Sequence, residues 1–195
     1  VTPGRDEVQE VRGRPDRAQG WGRVNLGAIA YDKHMGNNIF FRDGSSRGIF
    51  TSDHPGLRTG QLAEWRLFVS DKSAPFRALI AWTDRPGFPA TGRQLINDLD
   101  LEVLAPMIAD ATDPKPVIKT LLGSGSGPAL PIEIGQRDRL NNVEGVEILM
   151  PERGWHIIRV RGHNVPLGPQ PFALVVLAPM AETFSISGTV ADAVG

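Results

Sequence analysis

The chain has 195 residues, of which 41% are hydrophobic and 22% are charged, a composition typical of a globular protein with one sizeable core. Its formal net charge of −1 gives no electrostatic reason for it to bind nucleic acid or an anionic membrane. The absence of cysteine excludes disulfides and thiolate metal sites, and no apolar run is long enough for a membrane span. The 22 glycines and 16 prolines favour a fold with many turns over a helical bundle.

The N-terminal part of the sequence contains few signals of regular structure. Residues 1–19 are polar and lack apolar periodicity, which is typical of a tail or a linker. Trp21 stands between two glycines, and the run after it predicts a short helix. Residues 32–47 are rich in glycine, asparagine and serine, which indicates a loop.

The middle of the chain contains three runs that predict strands. The first, Leu62–Val69, alternates apolar and polar residues, so that one face buries alanine, tryptophan, leucine and valine. The second, Phe76–Thr83, is apolar enough to be a buried strand, and the third, Leu95–Leu104, interleaves apolar and acidic residues. Residues 105–137 then form a long irregular insert that includes the flexible-looking run Gly123–Gly127.

Three further runs near the C-terminus predict antiparallel strands joined by tight turns: Val143–Met150, Trp155–Gly162 and Pro171–Ala178. In the middle run, Ile158 and Val160 share one face while Arg159 and Arg161 share the other. That strand therefore has one face toward a core and one toward water. The last run is apolar on both faces from Phe172 to Leu177, which predicts a strand in the interior of a sheet.

The motif Asn97-Asp98-Leu99-Asp100 is the strongest candidate for a functional site. In an extended strand Asp98 and Asp100 project from the same face, and two carboxylates so close repel each other unless a cation, an arginine or a proton compensates. Calcium prefers carboxylate and amide oxygens, which Asp138, Asn141 and Asn142 would add if the two segments meet. The alternative is that arginines such as Arg93 or Arg139 pair with the carboxylates. Spacing alone leaves both possibilities open.

Other chemical signals are weak. The four histidines have no paired spacing, so they look like surface or turn residues and a zinc site is not expected: His34, His54, His156 and His163. The GSGSG run matches neither a nucleophile elbow nor a phosphate-binding loop. Three tryptophans would serve either as a sugar-stacking platform or, more plainly, as core residues: Trp65, Trp82 and Trp155.

Several segments together resemble one protein family. The stretch QGWGRVNL (Gln19–Leu26) resembles the sequence that closes the catalytic domain of subtilisin-like serine proteases. Four later motifs resemble, in order, the C-terminal β-sandwich of the alkaline, oxidant-resistant bacterial branch of that family. They are LIAWTDRPG (Leu79–Gly87), LINDLDLEV (Leu95–Val103), NNVEGVEI (Asn141–Ile148) and HNVPLGPQPFALVV (His163–Val176).

The resemblance implies an all-β fold, a two-sheet antiparallel β-sandwich of jelly-roll type like the P domain of proprotein convertases. It also implies that calcium is bound by Asp98 and Asp100 with Asn141 or Asn142. The family's catalytic aspartate, histidine and G-T-S-M-A motif have no counterpart here, so no catalytic residue is assigned. The resemblance implies that they lie upstream of Val1, so we expect the chain to be the C-terminal portion of a secreted or extracytoplasmic protease.

The resemblance divides the chain into three parts. Residues 1–31 are expected to close the upstream protease domain and link it to the sandwich, which spans residues 32–180. Residues 181–195 contain ISGTV, similar to the first strand of transthyretin-like domains, and are expected to begin a further β domain or to form a tail. The expected partners are the chain's own protease domain and the protein substrate of the parent enzyme.

Two rival functions make different demands on the structure. A carbohydrate- or substrate-binding module needs exposed aromatic side chains on a concave face. A self-contained enzyme needs titratable residues that converge in a cleft.

Overall fold

A computed structural model describes residues 38–43, 56–90, 92–108, 116–123, 137–180 and 189–192. All regular elements in these ranges are strands: β1 Asn38–Asp43, β2 Gln61–Val69, β3 Phe76–Ala81, β4 Asp98–Ile108, β5 Pro116–Leu122, β6 Val143–Ile148, β7 Gly154–Asn164, β8 Ala173–Ala178 and β9 Thr189–Asp192. Within these ranges no helix has the length and apolar character needed to cross a membrane. Residues 1–37 lie outside the described part, and with them Trp21 and the helix expected after it. The sequence predictions for His34 and His54 also lie outside it.

The strands form two antiparallel sheets. The four-stranded sheet has the order β1-β8-β3-β6, and the five-stranded sheet has the order β5-β4-β7-β2-β9. Strands β1 to β8 are thus arranged as in a jelly roll, in which consecutive strands wrap around two facing sheets, and β9 extends one edge. The predicted all-β sandwich is confirmed.

Strands that follow each other in sequence are not always partners in a sheet. The three predicted C-terminal strands are present as β6, β7 and β8, but β6 pairs with β3, while β7 pairs with β2 and β4. The turns between them therefore carry the chain from one sheet to the other rather than closing hairpins. Turn residues predict a reversal of direction, and they do not tell on which sheet the chain continues. Strand β8 lies between β1 and β3, as its two apolar faces predicted.

Two predictions differ from the structure. Residues 32–47 are predicted to form a loop, but Asn38–Asp43 within that range form strand β1 and pair with β8. The insert expected at residues 105–137 begins as the end of β4 and contains β5, whose residue Ile118 pairs with Pro106. The sequence did not predict that β4 continues past Leu104, because Pro106 cannot donate a backbone hydrogen bond and proline is uncommon within a sheet. Residues 189–192, in the range expected to begin a further β domain or to form a tail, form β9 and pair with β2. The division of the chain into domains stays a prediction.

The core lies between the sheets and is built by alternation along each strand. On β2 the four predicted inward residues are all buried: Ala63, Trp65, Leu67 and Val69. Trp65 meets the ring of Phe172, from the loop before β8, edge to face at 6.2 Å between centroids. Trp82 is also buried, so two of the three candidate sugar-stacking tryptophans are core residues, and Trp155 alone of the three is exposed.

Candidate functional site

Three acidic side chains form a row on one face of β4, which we call the acidic ladder: Asp98, Asp100 and Glu102. The residues between them, Leu99 and Leu101, point into the core and are fully buried. The ladder therefore lies on the outer face of the five-stranded sheet, where side chains usually meet water. Yet its members are only 0%, 2% and 5% exposed. Something must cover and neutralise them.

The cover is a short segment before β6, Arg137–Arg139, which we call the arginine strap. Arg139 Nη1 donates to Asp98 Oδ1 at 3.1 Å and to Asp100 Oδ1 at 2.5 Å. Arg137 Nη2 donates to Glu102 Oε1 at 2.6 Å, and its Nη1 lies 2.9 Å from Asp100 Oδ2. Two guanidinium groups thus alternate with three carboxylates.

Further arginines flank the ladder at both ends. Arg93 Nη2 donates to Asp98 Oδ2 at 2.7 Å, and Arg161 Nε on β7 lies 3.9 Å from Glu102 Oε1. Burial raises the pKa of Asp98, and although Arg139 opposes this, the neighbouring charge of Asp100 adds to it. The ladder is consequently a densely charged structure whose members depend on one another.

The strap is held in shape by its own middle residue. The carboxylate of Asp138 accepts hydrogen bonds from the backbone N–H groups of Leu140 and Asn141, at 2.8 and 3.0 Å, and from Asn141 Nδ2 at 2.7 Å. This side-chain-to-backbone pattern fixes a tight turn immediately before β6. Asn141, a predicted calcium ligand, therefore binds Asp138 in this structure.

Asn142, the other predicted amide ligand, joins the ends of β3 and β6. Its Nδ2 donates to the backbone oxygen of Trp82 at 2.8 Å, and Trp82 N donates to Asn142 O at 3.1 Å. The structure thus places Asp98 and Asp100 together, as predicted, while Asn141 and Asn142 each have a separate structural partner.

The donor atoms of this site are arranged for guanidinium groups. Each of the four carboxylate oxygens of Asp98 and Asp100 has an arginine nitrogen within 3.1 Å. A calcium ion there would have to displace at least Arg139, so the observed side chains do not fit a bound ion. Among the described residues no group of three or more histidine, aspartate or glutamate side chains is placed to hold a metal. Calcium stays a prediction from the family resemblance.

Asn97, the first residue of the Asn97–Asp100 motif, has a structural role. It is fully buried, and its Nδ2 donates to Gln170 Oε1 at 2.8 Å and to Leu167 O at 3.2 Å. Its Oδ1 accepts from Leu167 N at 3.1 Å, and its backbone oxygen accepts from Trp82 Nε1 at 2.9 Å. Asn97 therefore ties the loop after β3 to the loop before β8.

Sequence reasoning missed Glu144 on β6. Its side chain points into the sandwich, is 1% exposed, and accepts a hydrogen bond from Leu101 N at 2.7 Å through Oε2. Burial raises its pKa to about 9, and the charges of Asp100, Asp138 and Asp98 act in the same direction. The sequence did contain a signal for this burial, because Glu144 alternates in register with Val146 and Ile148 and so shares their inward face.

His156 corrects the expectation that all four histidines lie in turns or on the surface. It is fully buried on β7 and stacks on Phe76 with ring centroids 4.9 Å apart. Its Nδ1 lies 3.2 Å from Gly154 O, whereas Nε2 has no hydrogen-bond partner among the described residues. Burial lowers its pKa, so the ring is a neutral core residue.

The fold is thus that of a jelly-roll sandwich whose best-organised polar groups are engaged in holding it together. No family model matches the chain. A stretch of 100 residues is 35% identical to part of the serine protease/ABC transporter B family protein tagB of Dictyostelium discoideum, covering 50% of this chain and 5% of that protein. A stretch of 122 residues is 26% identical to part of tagA, a protein of the same description and organism. It covers 63% of this chain and 6% of that protein.

The chain spans only about a twentieth of the length of these curated relatives. The similarity therefore concerns a single region of very long proteins. It links part of this chain to proteins named as serine proteases, in loose agreement with the resemblance found in the sequence.

Proposed function

We propose that this chain contains the non-catalytic C-terminal sandwich of an exported subtilisin-like serine protease, where it packs on the protease domain and stabilises it. The observation that carries the proposal is the 35% identity, over 100 residues, to a region of a much longer protein named as a serine protease. The motifs that resemble the sandwich of subtilases lie on β3, β4, β6 and β8 and on the loops that join them.

The polar groups of the described sandwich support an accessory role rather than catalysis. The acidic ladder is neutralised by ion pairs, and Asn97 is used to hold two loops. Glu144 is enclosed between the sheets, where a substrate has no access. These groups contribute to stability, whereas a catalytic constellation needs side chains that face a substrate.

A packing role needs a surface, and the outer face of the five-stranded sheet offers one. At the end of the sheet away from Asp98, the outward residues form an apolar patch in which Ile118 and Trp155 are exposed. The others are less accessible: Phe68, Leu104 and Ile157 are half-buried and Pro106 is buried. Ile118 is 64% exposed and Trp155 54%, and Trp155 meets Phe68 edge to face at 5.3 Å. Contiguous exposed apolar surface of this kind marks interaction sites.

The coding sequence upstream of Val1 is the first test. The proposal requires a protease domain there, with a catalytic aspartate, a histidine and a G-T-S-M-A serine motif. An upstream sequence that encodes no such domain would contradict it.

The second test uses the longer protein and measures its half-life of proteolytic activity on heating. We expect Trp155→Asp and Ile118→Asp to shorten that half-life, because they place a charge in the interface with the protease domain. Leu167→Asp is the matched control, since Leu167 is 51% exposed and lies away from the patch. Equal half-lives for all three variants would show that the patch does not contact the protease domain.

Calcium at Asp98, Asp100, Asn141 and Asn142 is what the family resemblance implies. It is not part of this proposal, because arginines already pair with the carboxylates of Asp98 and Asp100. The structure does not favour the sugar-binding alternative, because two of the three candidate tryptophans, Trp65 and Trp82, lie in the core.

A further inference from the structure

We propose that the arginine strap is a built-in counter-ion, which holds the acidic ladder of β4 in the way that a bound divalent cation otherwise would. The sandwich then needs no metal at this position. This inference is independent of the proposed function, because it concerns only how the sandwich is held together.

The first argument is the match in spacing. Members of the ladder are two residues apart on a strand, so their side chains project from the same face and their Cα atoms are roughly 7 Å apart. Arg137 and Arg139 are also two residues apart, and each reaches two neighbouring members of the ladder. Positive and negative groups therefore alternate across the face of β4.

The second argument is burial. The side chains of Asp98, Asp100 and Glu102 are 1%, 3% and 7% exposed, while those of Arg137 and Arg139 are 31% and 27% exposed. Buried carboxylates without a partner are strongly unfavourable, and three in a row add mutual repulsion. The strap both shields them from water and supplies the opposite charge.

The third argument is that the aspartate oxygens are already used. Asp98 Oδ1 and Asp100 Oδ1 share Nη1 of Arg139, while Asp98 Oδ2 binds Arg93 and Asp100 Oδ2 lies beside Arg137. The turn fixed by Asp138 presents the strap without relying on the ladder. A cation would therefore compete with a preformed set of guanidinium groups.

Thermal unfolding of the purified chain tests the counter-ion proposal in three arms. In the first arm, the wild-type melting midpoint is measured with a chelator and with millimolar calcium. We expect the same midpoint in both. A midpoint that falls with chelator and rises with calcium would overturn the proposal and support a metal site.

In the second arm, Arg139→Gln is compared with Arg66→Gln, whose side chain is 61% exposed and pairs with Glu64 at the surface. We expect Arg139→Gln to lower the midpoint by roughly 5–15 °C, because it removes the shared positive partner of two buried carboxylates, Asp98 Oδ1 and Asp100 Oδ1. We expect Arg66→Gln to change the midpoint by no more than about 2 °C. Equal effects of the two variants would overturn the proposal.

A third set of variants covers the case in which Arg139→Gln does not fold. Replacing Asp98 and Asp100 together by Asn removes the charge that Arg139 neutralises. We expect Arg139→Gln to fold in that background and to lower the midpoint by less than half of the loss in the wild-type background. A full loss there would show that Arg139 acts by packing rather than as a counter-ion.

Discussion

The carboxyl group of Glu144 on β6 accepts a 2.7 Å hydrogen bond from the backbone N–H of Leu101 on β4, and so joins the two sheets through the interior. Leu101 N needs this partner because β5, which pairs with β4 as far as Leu122, does not continue beside it as a strand. Since Glu144 is buried and its pKa is raised to about 9, the group is protonated at neutral pH.

The raised pKa of Glu144 makes the free energy of unfolding depend on pH. The carboxyl of Glu144 ionises near 4.5 in the unfolded chain and near 9 in the folded one, so between these values the folded state binds more protons. Its contribution to stability is full below about pH 4.5 and declines as the pH rises toward 9. Relative to Glu144→Gln, the wild-type free energy of unfolding should fall by up to about 1.4 kcal/mol per pH unit in this window. Urea unfolding at pH 5, 7 and 9 measures the free energy of unfolding of both proteins. Parallel pH profiles for the wild type and Glu144→Gln would refute this prediction.

Gly123 lies directly against this carboxyl group. A Cβ at that position would come within 2.5 Å of Glu144 Oε2 and 2.8 Å of Leu101 Cβ, both in the packed interior. We expect Gly123→Ala to lower the free energy of unfolding by about 1–3 kcal/mol. Gly92→Ala is the control, because nothing lies within 4 Å of its added Cβ. A loss no greater than that of the control would show that β4 and β6 adapt without cost.

Asn97→Ala tests the role of the candidate motif's first residue. The substitution removes three side-chain hydrogen bonds, to Leu167 O, Leu167 N and Gln170 Oε1, in a fully buried place. Because the remaining polar groups lose their partners, we expect a loss of roughly 2–4 kcal/mol in the free energy of unfolding. Asn142→Ala, which removes a single side-chain bond to Trp82 O, should cost less in the same urea titration.

Local pattern was enough to predict β2, β3, β4, β6, β7 and β8 and the faces they bury, but it did not predict β1 or β5. The alternation around Trp65 on β2 and around Ile158 on β7 is visible without any long-range information. Strand β5 was missed because Pro106 lies near the end of β4 and Pro116 begins β5, and proline usually ends a strand.

For the acidic ladder, too, the sequence predicts local geometry but not contacts between distant segments. That Asp98 and Asp100 share a face follows from the period of a strand, and it was predicted. Which group neutralises them depends on Arg139, which is 39 residues away from Asp100, and on the turn that Asp138 fixes. Spacing in the sequence does not determine such a contact, so it leaves a cation and an arginine open as alternatives.

The proposed accessory role predicts that the purified chain does not hydrolyse peptides. The sequence lacks the catalytic aspartate, histidine and serine motifs of subtilases. A casein or fluorogenic-peptide assay should give no signal above buffer. Hydrolysis that a serine-directed covalent inhibitor abolishes would contradict the proposed role, while hydrolysis that the inhibitor leaves unchanged would indicate a contaminant.

His156 should make the sandwich sensitive to acid. Burial lowers the pKa of its ring below the ordinary value of 6.5, so in acid the unfolded chain binds a proton that the folded chain does not. The contribution of the neutral ring to stability is therefore full above about pH 6.5 and is lost as the pH falls through the lowered pKa. The nearest aromatic partner is Phe76, and Nε2 has no acceptor among the described residues, so a bound proton would remain uncompensated.

Replacing His156 by Phe keeps a flat ring against Phe76 and removes the titrating group. We expect the difference in free energy of unfolding between this variant and the wild type to shift in favour of the variant as the pH falls from 7 to 5. The shift reaches at most about 1.4 kcal/mol per pH unit, because a single proton is involved. Parallel stability profiles over this range would mean that His156 takes up its proton in the folded state, with the ring turned toward a partner that the present conformation does not provide.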